Sequence, residues 1–148
     1  MKDIQNSLKA MVGVVPAACS GTTDRVGEVI DLQGFNGCMF IFHFGTITSG
    51  AVTGVRVAGL DTSSPTEGTD DLAGTALAVA DTYDDKIVTV DIYRPTTRYL
   101  RPVVDRATQN AVLNSIVAIL YDPIKIPTTA HSSDAATEVT VSPIAGTA

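Results

Sequence analysis

The chain has 148 residues and a net charge of −6, with 18% charged and 45% hydrophobic residues. A negative chain lacks the clustered Lys and Arg that neutralise phosphates, so we expect no direct binding to nucleic acid. The length suits one domain with a sizeable core, and the sequence has no run of 18 apolar residues that would predict a membrane span.

The first segment carries apolar residues at helical spacing. They recur every three or four positions, at Ile4, Leu8, Met11 and Val15. Gly13 and Pro16 then interrupt the pattern. The spacing predicts either a short amphipathic helix or an extended arm. Because such a short helix is unstable alone in water, we expect its apolar edge to dock on the body or on a neighbour.

From residue 25 the pattern changes to strands separated by turn residues. We predict strands at residues 26–32, 38–44, 51–60, 88–92, 99–104 and 111–121, and a short strand or a covering loop at 72–80. Residues 88–92 alternate apolar and polar, and Pro102 predicts that 99–104 lies at a sheet edge because proline cannot donate to the ladder. The series predicts an all-β fold, a single antiparallel β-sandwich domain of jelly-roll type.

Two of these strands are apolar on both faces. In residues 38–44, one face carries cysteine and phenylalanine and the other carries Met39, Ile41 and His43; residues 116–120 are apolar throughout. A sandwich normally leaves the outer face of each sheet to solvent. We therefore expect a cover over these strands. The candidate covers are the chain's own arms and another subunit, of which the subunit is favoured, and the loop at 72–80 is the alternative.

The C-terminal segment has the composition of a disordered tail. Residues 127–148 are rich in Thr, Ser, Ala and Pro, with few large apolar side chains. Ordering such a segment costs about 1–2 kcal/mol per residue in backbone entropy, so we expect other chains to hold it. The predicted organisation is an N-terminal arm at 1–24, a β-sandwich body at 25–123 and a C-terminal extended arm at 124–148.

The sequence offers no pattern that predicts catalysis. The two histidines, His43 and His131, have no nucleophile motif around them, and neither a Walker nor a Rossmann glycine pattern is present. We therefore predict no catalytic residue, no enzyme activity and no cofactor. Cys19 and Cys38 are expected to be free buried thiols.

Acidic and basic residues form two groups that leave alternatives open. Acidic residues between positions 61 and 85 could gather a calcium ion or could form a solvated face, and we assign no metal site. The arginines at positions 94, 98, 101 and 106 could pair with carboxylates of a partner protein or with that acidic segment. The arginine group marks a candidate contact surface.

Five short stretches resemble a family of small tailed-phage virion proteins encoded among head genes. They are Ile-Asp-Leu-Gln-Gly-Phe at 30–35, Gly-Thr-Ile-Thr-Ser-Gly at 45–50, Asp-Leu-Ala-Gly-Thr at 71–75, Arg-Tyr-Leu-Arg at 98–101, and the apolar strand ending near Pro123. The resemblance covers roughly residues 1–123. It departs at 56–61, where the family carries a Gln-Glu-Ser-Asp-like run, and beyond Pro127, where the family commonly ends.

The resemblance implies a capsid decoration, or cement, protein on the outer surface of a virion. Its expected partners are the major capsid protein and further copies of itself, as a homotrimer or homodimer, with no nucleic acid or membrane. A tail or neck virion protein and a carbohydrate-binding β-sandwich are the alternatives. The contact candidates are Ile4, Leu8, Met11, Met39, Ile41, Arg98, Arg101, Ile116, Ala118, Leu120 and Ile144.

Overall fold

The computed structural model describes residues 7–14 and 20–125. Nine strands and one 3-10 turn, Asp81–Tyr83, follow one another along this part of the chain. The strands are β1 Lys9–Val14, β2 Arg25–Val26, β3 Ile30–Asp31, β4 Phe35–Ile47, β5 Val52–Leu60, β6 Leu77–Val79, β7 Ile87–Tyr93, β8 Tyr99–Ala107 and β9 Ala111–Pro123. Within the described ranges, no helix is long and apolar enough to cross a membrane.

The strands form two antiparallel sheets that pack face to face. The four-stranded sheet has the order β1-β9-β4-β7. The five-stranded sheet has the order β2-β8-β5-β6, and β3 also pairs with β8. The predicted all-β sandwich is confirmed.

The core lies between the two sheets and is built by period-two alternation. Phe40, Phe42 and Phe44 point inward from β4 and are fully buried. Val88, Val90 and Ile92 of β7 are buried while the residues between them are exposed, as the alternation predicts.

The N-terminal segment is extended where it is described. β1 pairs with β9 at one side of the four-stranded sheet, and its register places Met11 opposite Ala118. Of the two predicted conformations, the helix is therefore wrong for residues 9–14, because these residues gain a strand partner whose ladder satisfies their backbone. Residues 1–6, 15–19 and 126–148 lie outside the described residues, so Ile4 and Ile144 do too.

The strand predicted at 26–32 is split into β2 and β3. Between them, Gly27 donates to the carbonyl of Pro102 in one sheet, and Glu28 donates to the carbonyl of Gly13 in the other. This segment joins β8 to β1 and closes one side of the sandwich. A side chain at position 27 would not fit, since a Cβ there would lie 2.7 Å from the Gly13 carbonyl oxygen.

The edge position predicted for residues 99–104 is wrong, because β8 lies between β5 and the pair β2 and β3. The carbonyl of Pro102 accepts from Gly27, in the gap between β2 and β3. The N–H and C=O of one residue point to the same side of a strand, so the proline nitrogen also faces this gap. The missing donor therefore costs no ladder hydrogen bond, and proline is tolerated in a central strand.

Candidate protein-interaction surface

The outward side of the four-stranded sheet carries two apolar rows across neighbouring strands. Val12, Val117 and Ile41 form one row, because Val12 pairs with Val117 and Val117 with Ile41. Ile119 and Met39 pair in the next row. Each of these five side chains keeps part of its surface exposed. We call Val12, Met39, Ile41, Val117 and Ile119 the outer apolar face.

The loop that could have covered this face lies elsewhere. Residues 70–72 bond to the backbone of β5 through Gly59 and Val57, and β6 continues along the same side of β5. The segment therefore extends the five-stranded sheet and does not cover the outer apolar face. The prediction of a covering loop at 72–80 is wrong for the four-stranded sheet, because this segment finds its backbone partners on β5.

The outward side of the five-stranded sheet is polar by contrast. Arg56 lies between two carboxylates, with Nη1 2.5 Å from Asp71 and Nε 2.9 Å from Asp105. Arg101 donates to the carbonyl oxygens of Gly27 and Pro65, at 2.9 and 3.3 Å. The charged groups of this surface thus find their ionic and hydrogen-bond partners within the chain. The outward side of the other sheet presents apolar groups instead.

A pair of tyrosines borders the outer apolar face. Tyr121 of β9 and Tyr93 of β7 have parallel rings, 7° apart in plane with centroids separated by 6.3 Å. The Tyr121 ring lies over Gly37 of the strand between them, where a Cβ would come within 2.6 Å of a ring carbon. The absent side chain at Gly37 lets the rings meet across β4.

Carboxylates stand at both ends of this tyrosine pair. The Tyr121 hydroxyl donates to Asp91 of β7 at 2.7 Å, and the Tyr93 hydroxyl reaches Asp122 at 3.5 Å. Burial, followed by the hydrogen bond to Asp91, raises the pKa of the Tyr121 hydroxyl, so this group stays protonated as a donor. The Arg94 guanidinium lies 5.1 Å from the centre of the Tyr93 ring.

An open cleft of about 390 Å³ lies at the end of the sandwich near Arg98. Arg98 donates to both oxygens of Asp31 at 2.8 Å and to Gln33 at 2.7 Å. The hydrogen bond from Arg98 lowers the pKa of Asp31, which therefore stays ionised. The guanidinium is already held by acceptors of its own chain.

The contact candidates from the sequence divide into three groups. Met39 and Ile41 belong to the outer apolar face, while Met11 packs against the core and Leu8 is half-buried just before β1. Ile116, Ala118 and Leu120 are fully buried between the sheets, so these three side chains form the core and offer no contact surface. Their inward direction follows from the alternation of β9, which turns Val117 and Ile119 outward instead.

The two predicted arginines bond within the chain. Arg98 pairs with Asp31, and Arg101 bonds to backbone carbonyls and lies 4.0 Å from Glu67. Pairing with the segment at 61–85 therefore occurs for Arg101. The buried Arg106 donates to the carbonyls of Thr23 and Ala111, which ties the loop before β2 to the start of β9.

The acidic side chains of the described residues do not gather into a metal site. No group of three or more His, Cys, Asp or Glu side chains among them is placed to hold a metal ion. Instead, Asp84 and Asp81 accept from the backbone N–H groups of Ile47 and Gly50. His43 is exposed on β4, Cys38 is a buried free thiol, and His131 lies outside the described residues.

Comparisons with known proteins add little to this geometry. No protein-family model and no curated protein sequence matches the chain. Among solved structures, it is similar to the crystal structure of dimeric latent PorU from Porphyromonas gingivalis, with 9% identity and a TM-score of 0.45. The match covers 81% of this chain and 13% of that chain, so this chain spans a small part of that protein's length. A likeness this distant carries no argument about function.

Three residues of the outer apolar face, Val12, Val117 and Ile119, were missed by sequence reasoning. Val117 and Ile119 stand between the buried residues of β9, and the run 116–120 is apolar throughout. Period-two alternation separates the two faces of this strand, but it does not show which of them points outward when both are apolar. Tyr93 and Tyr121 had no such signal, because only the register of β4 brings them together over Gly37.

Proposed function

We propose that this chain is a structural virion protein that decorates a tailed-phage capsid. The observation that supports it is the outer apolar face, which stands opposite an ion-paired polar surface on the other sheet. A protein with one apolar and one polar side is suited to lie on a protein lattice with the apolar side down. The resemblance of the sequence to phage decoration proteins supplies the kind of lattice.

The stabilising effect of such a protein follows from mass action. A subunit that binds only the assembled shell lowers the free energy of that state and leaves the unassembled subunits unchanged. No reaction is needed, and many equivalent sites on a symmetric shell add their contributions. The role therefore requires surface complementarity alone, and the outer apolar face is the surface that we propose for it.

The size of the face limits what one copy can do. Four strands about 4.8 Å apart and seven residues rising about 3.4 Å each give the whole outward side of this sheet, which includes the outer apolar face, an area of roughly 460 Å². Stable interfaces bury about 800 Å² per partner. One copy thus supplies about half of a standard contact, and firm attachment needs several copies acting together.

Co-sedimentation with phage heads tests the proposal. Tagged protein is produced in a host whose phage carries the gene, and lysates are separated on a density gradient. We expect the wild-type protein in the head fraction and the Val117→Lys variant in the soluble fraction. Val52→Lys, a matched change at an exposed position of the five-stranded sheet, should remain with the heads.

The outcome also separates the proposal from a tail or neck role. Imaging of the particles should show many copies spread over the capsid faces. A few copies at a single vertex would instead assign the chain to the tail or neck. Absence of the wild-type protein from every particle fraction would refute a virion role altogether.

The tyrosine pair favours a second candidate, a carbohydrate-binding module. Parallel rings, exposed at Tyr93 and half-buried at Tyr121, with carboxylates at both ends can stack on a sugar ring and accept from its hydroxyls. Binding on a glycan array that is lost in Tyr93→Ala but kept in Tyr83→Ala, an exposed tyrosine away from the pair, would favour this candidate. An array with no binding would leave the decoration role in place.

A further inference from the structure

The outer edge of β7 exposes a row of backbone groups. At its two ends, the carbonyl of Lys86 accepts from Phe44, and the N–H of Arg94 donates to Asn36. Backbone groups of alternate residues point to opposite sides of a strand, so the even residues of β7 bond to β4. The N–H and C=O groups of Ile87, Thr89, Asp91 and Tyr93 therefore face away from the sheet. In the part of the chain that the structure describes, no strand pairs with this side.

Exposed apolar side chains concentrate beside this edge. Ile87 is 59% exposed, Leu77 of the neighbouring β6 is 47% exposed, and Tyr83 is 43% exposed. All three line an open cleft of about 250 Å³ between the edge strands of the two sheets. On the opposite side of the sandwich, the segment at Gly27 and Glu28 joins the sheets. The sandwich is thus closed on one side and open on the β6 and β7 side.

The β7 edge also lacks the features that prevent strands from pairing. Natural sheets protect exposed edges with lysine, proline, bulges or very short strands. β7 has seven residues, Ile-Val-Thr-Val-Asp-Ile-Tyr, and its register with β4 is regular throughout. Asp91 is its one charged residue. This composition suits an edge that forms a ladder with another strand.

We propose that β7 pairs with β7 of a second copy, antiparallel about a two-fold axis at Val90. This register pairs Ile87 with Tyr93 and Thr89 with Asp91, so the four residues with outward backbone groups bond to one another. It uses the full strand and places an apolar side chain opposite an aromatic one. The two copies contribute the same surface, as a two-fold dimer requires.

Neighbouring registers are less favourable for identifiable reasons. A two-fold axis at Asp91 would place two carboxylates directly opposite each other, which is destabilising. An axis at Thr89 would pair residues 87–91 alone and leave Tyr93 outside the ladder. The register centred on Val90 is the one that separates the charges and uses the whole strand.

The dimer would extend the surface used in the proposed function. A two-fold axis perpendicular to an antiparallel sheet leaves both outer apolar faces on the same side. The two four-stranded sheets become one eight-stranded sheet, and its outward side doubles from roughly 460 Å² to about 920 Å². The dimer is inferred from the β7 edge and not from the decoration role. An experiment can therefore refute either proposal and leave the other in place.

A register-specific disulfide tests the pairing. Thr89→Cys and Asp91→Cys are prepared separately in a Cys19→Ser background, mixed, and oxidised. Residues 89 and 91 of different copies would have Cα atoms about 5.5 Å apart, within disulfide range. We expect a covalent dimer in the mixture at several times the yield of either variant alone, since residues 89 and 89 would lie too far apart.

Light scattering on the full chain provides the second measurement. We expect a mass twice the 15.4 kDa of one chain, with loss of the dimer in Thr89→Pro, which removes an outward N–H and leaves the bonds to β4 intact. Val52→Lys should remain dimeric. Circular dichroism checks that each variant is folded, and if Thr89→Pro is not, Ile87→Lys takes its place.

Three outcomes would overturn the proposal. A monomeric wild-type chain would refute it directly. A covalent dimer formed equally well by Thr89→Cys alone would show another register. A full chain that is monomeric while a chain lacking residues 126–148 is dimeric would assign the edge to the C-terminal segment instead. Head binding is measured separately, so its loss with an intact dimer would count against the decoration role only.

Discussion

Replacing Gly37 with alanine tests the arrangement of the tyrosine pair. The backbone at Gly37 lies in a regular strand, so alanine is allowed there by conformation. Its Cβ, however, would lie 2.6 Å from Cε2 and 2.8 Å from Cε1 of Tyr121. The ring would have to move off the sheet and would lose its stacking on Tyr93 and its hydrogen bond to Asp91.

The expected magnitude follows from three contributions. Ring stacking contributes about 1 kcal/mol and the hydrogen bond about 1 kcal/mol, both of which are lost. Replacing a strand glycine gains back about 0.5–1 kcal/mol in conformational entropy. We therefore expect Gly37→Ala to lower the free energy of unfolding by about 1 kcal/mol, a fall in Tm of roughly 3 °C.

A double-mutant cycle makes this prediction specific. In a Tyr121→Ala background the ring is absent, so Gly37→Ala should be stabilising by about 0.5–1 kcal/mol. Urea unfolding of the four proteins, followed by circular dichroism, measures the change of sign. Gly37→Ala that is neutral or stabilising with Tyr121 in place would refute the placement of the ring over β4.

Two further predictions concern ionisable groups. The hydrogen bond from Arg98 lowers the pKa of Asp31. The pair therefore stabilises the fold fully above the usual carboxyl pKa of 3.8, and this stability is lost as the pH falls through the pKa of Asp31 in the folded protein. The difference in unfolding free energy between wild type and Asp31→Asn should shrink below about pH 4. Burial raises the pKa of Cys38 to about 12, so in Cys19→Ser a thiol reagent at pH 8 should label this residue only after denaturant is added. Labelling of the native protein would show that the core between the sheets is open.

The sandwich could be predicted from the sequence because apolar and polar residues alternate within individual strands. Val88, Val90 and Ile92 lie inward with polar residues between them, and this pattern depends on the strand alone. The same holds for Leu100 and Val104, which face the core while Arg101 and Asp105 face outward. Period-two signals of this kind need no knowledge of the neighbouring strands.

The errors arose where pairing between distant segments decided the outcome. Pro102 predicted an edge strand, but it faces the gap between β2 and β3, where no ladder hydrogen bond from its nitrogen is needed. The segment that forms this gap is distant from Pro102 along the chain. The helical spacing around Met11 was overridden by a strand partner, β9, at the far end of the body. Local patterns carry no information on such partners.

For the same reason, the sequence predicted only part of the candidate surface. Met39 and Ile41 were recognised because both faces of their strand are apolar. Ile116, Ala118 and Leu120 were assigned to the surface, although they lie in the core, because a run of apolar residues does not show which parity faces inward. The β7 edge could not be anticipated, since its exposure depends on the order of strands in the sheet.

The segment that joins the two sheets at Gly27 and Glu28 has a consequence for motion in the native state. Its two amides should exchange slowly with deuterium because each is hydrogen-bonded, Gly27 to Pro102 of one sheet and Glu28 to Gly13 of the other. The outward amides of β7 should exchange within seconds in a dilute monomer, since no strand of the described residues pairs with that side of β7. Small separations of the sheets would then pivot about the joined side, so solvent would enter the interior first between β6 and β7.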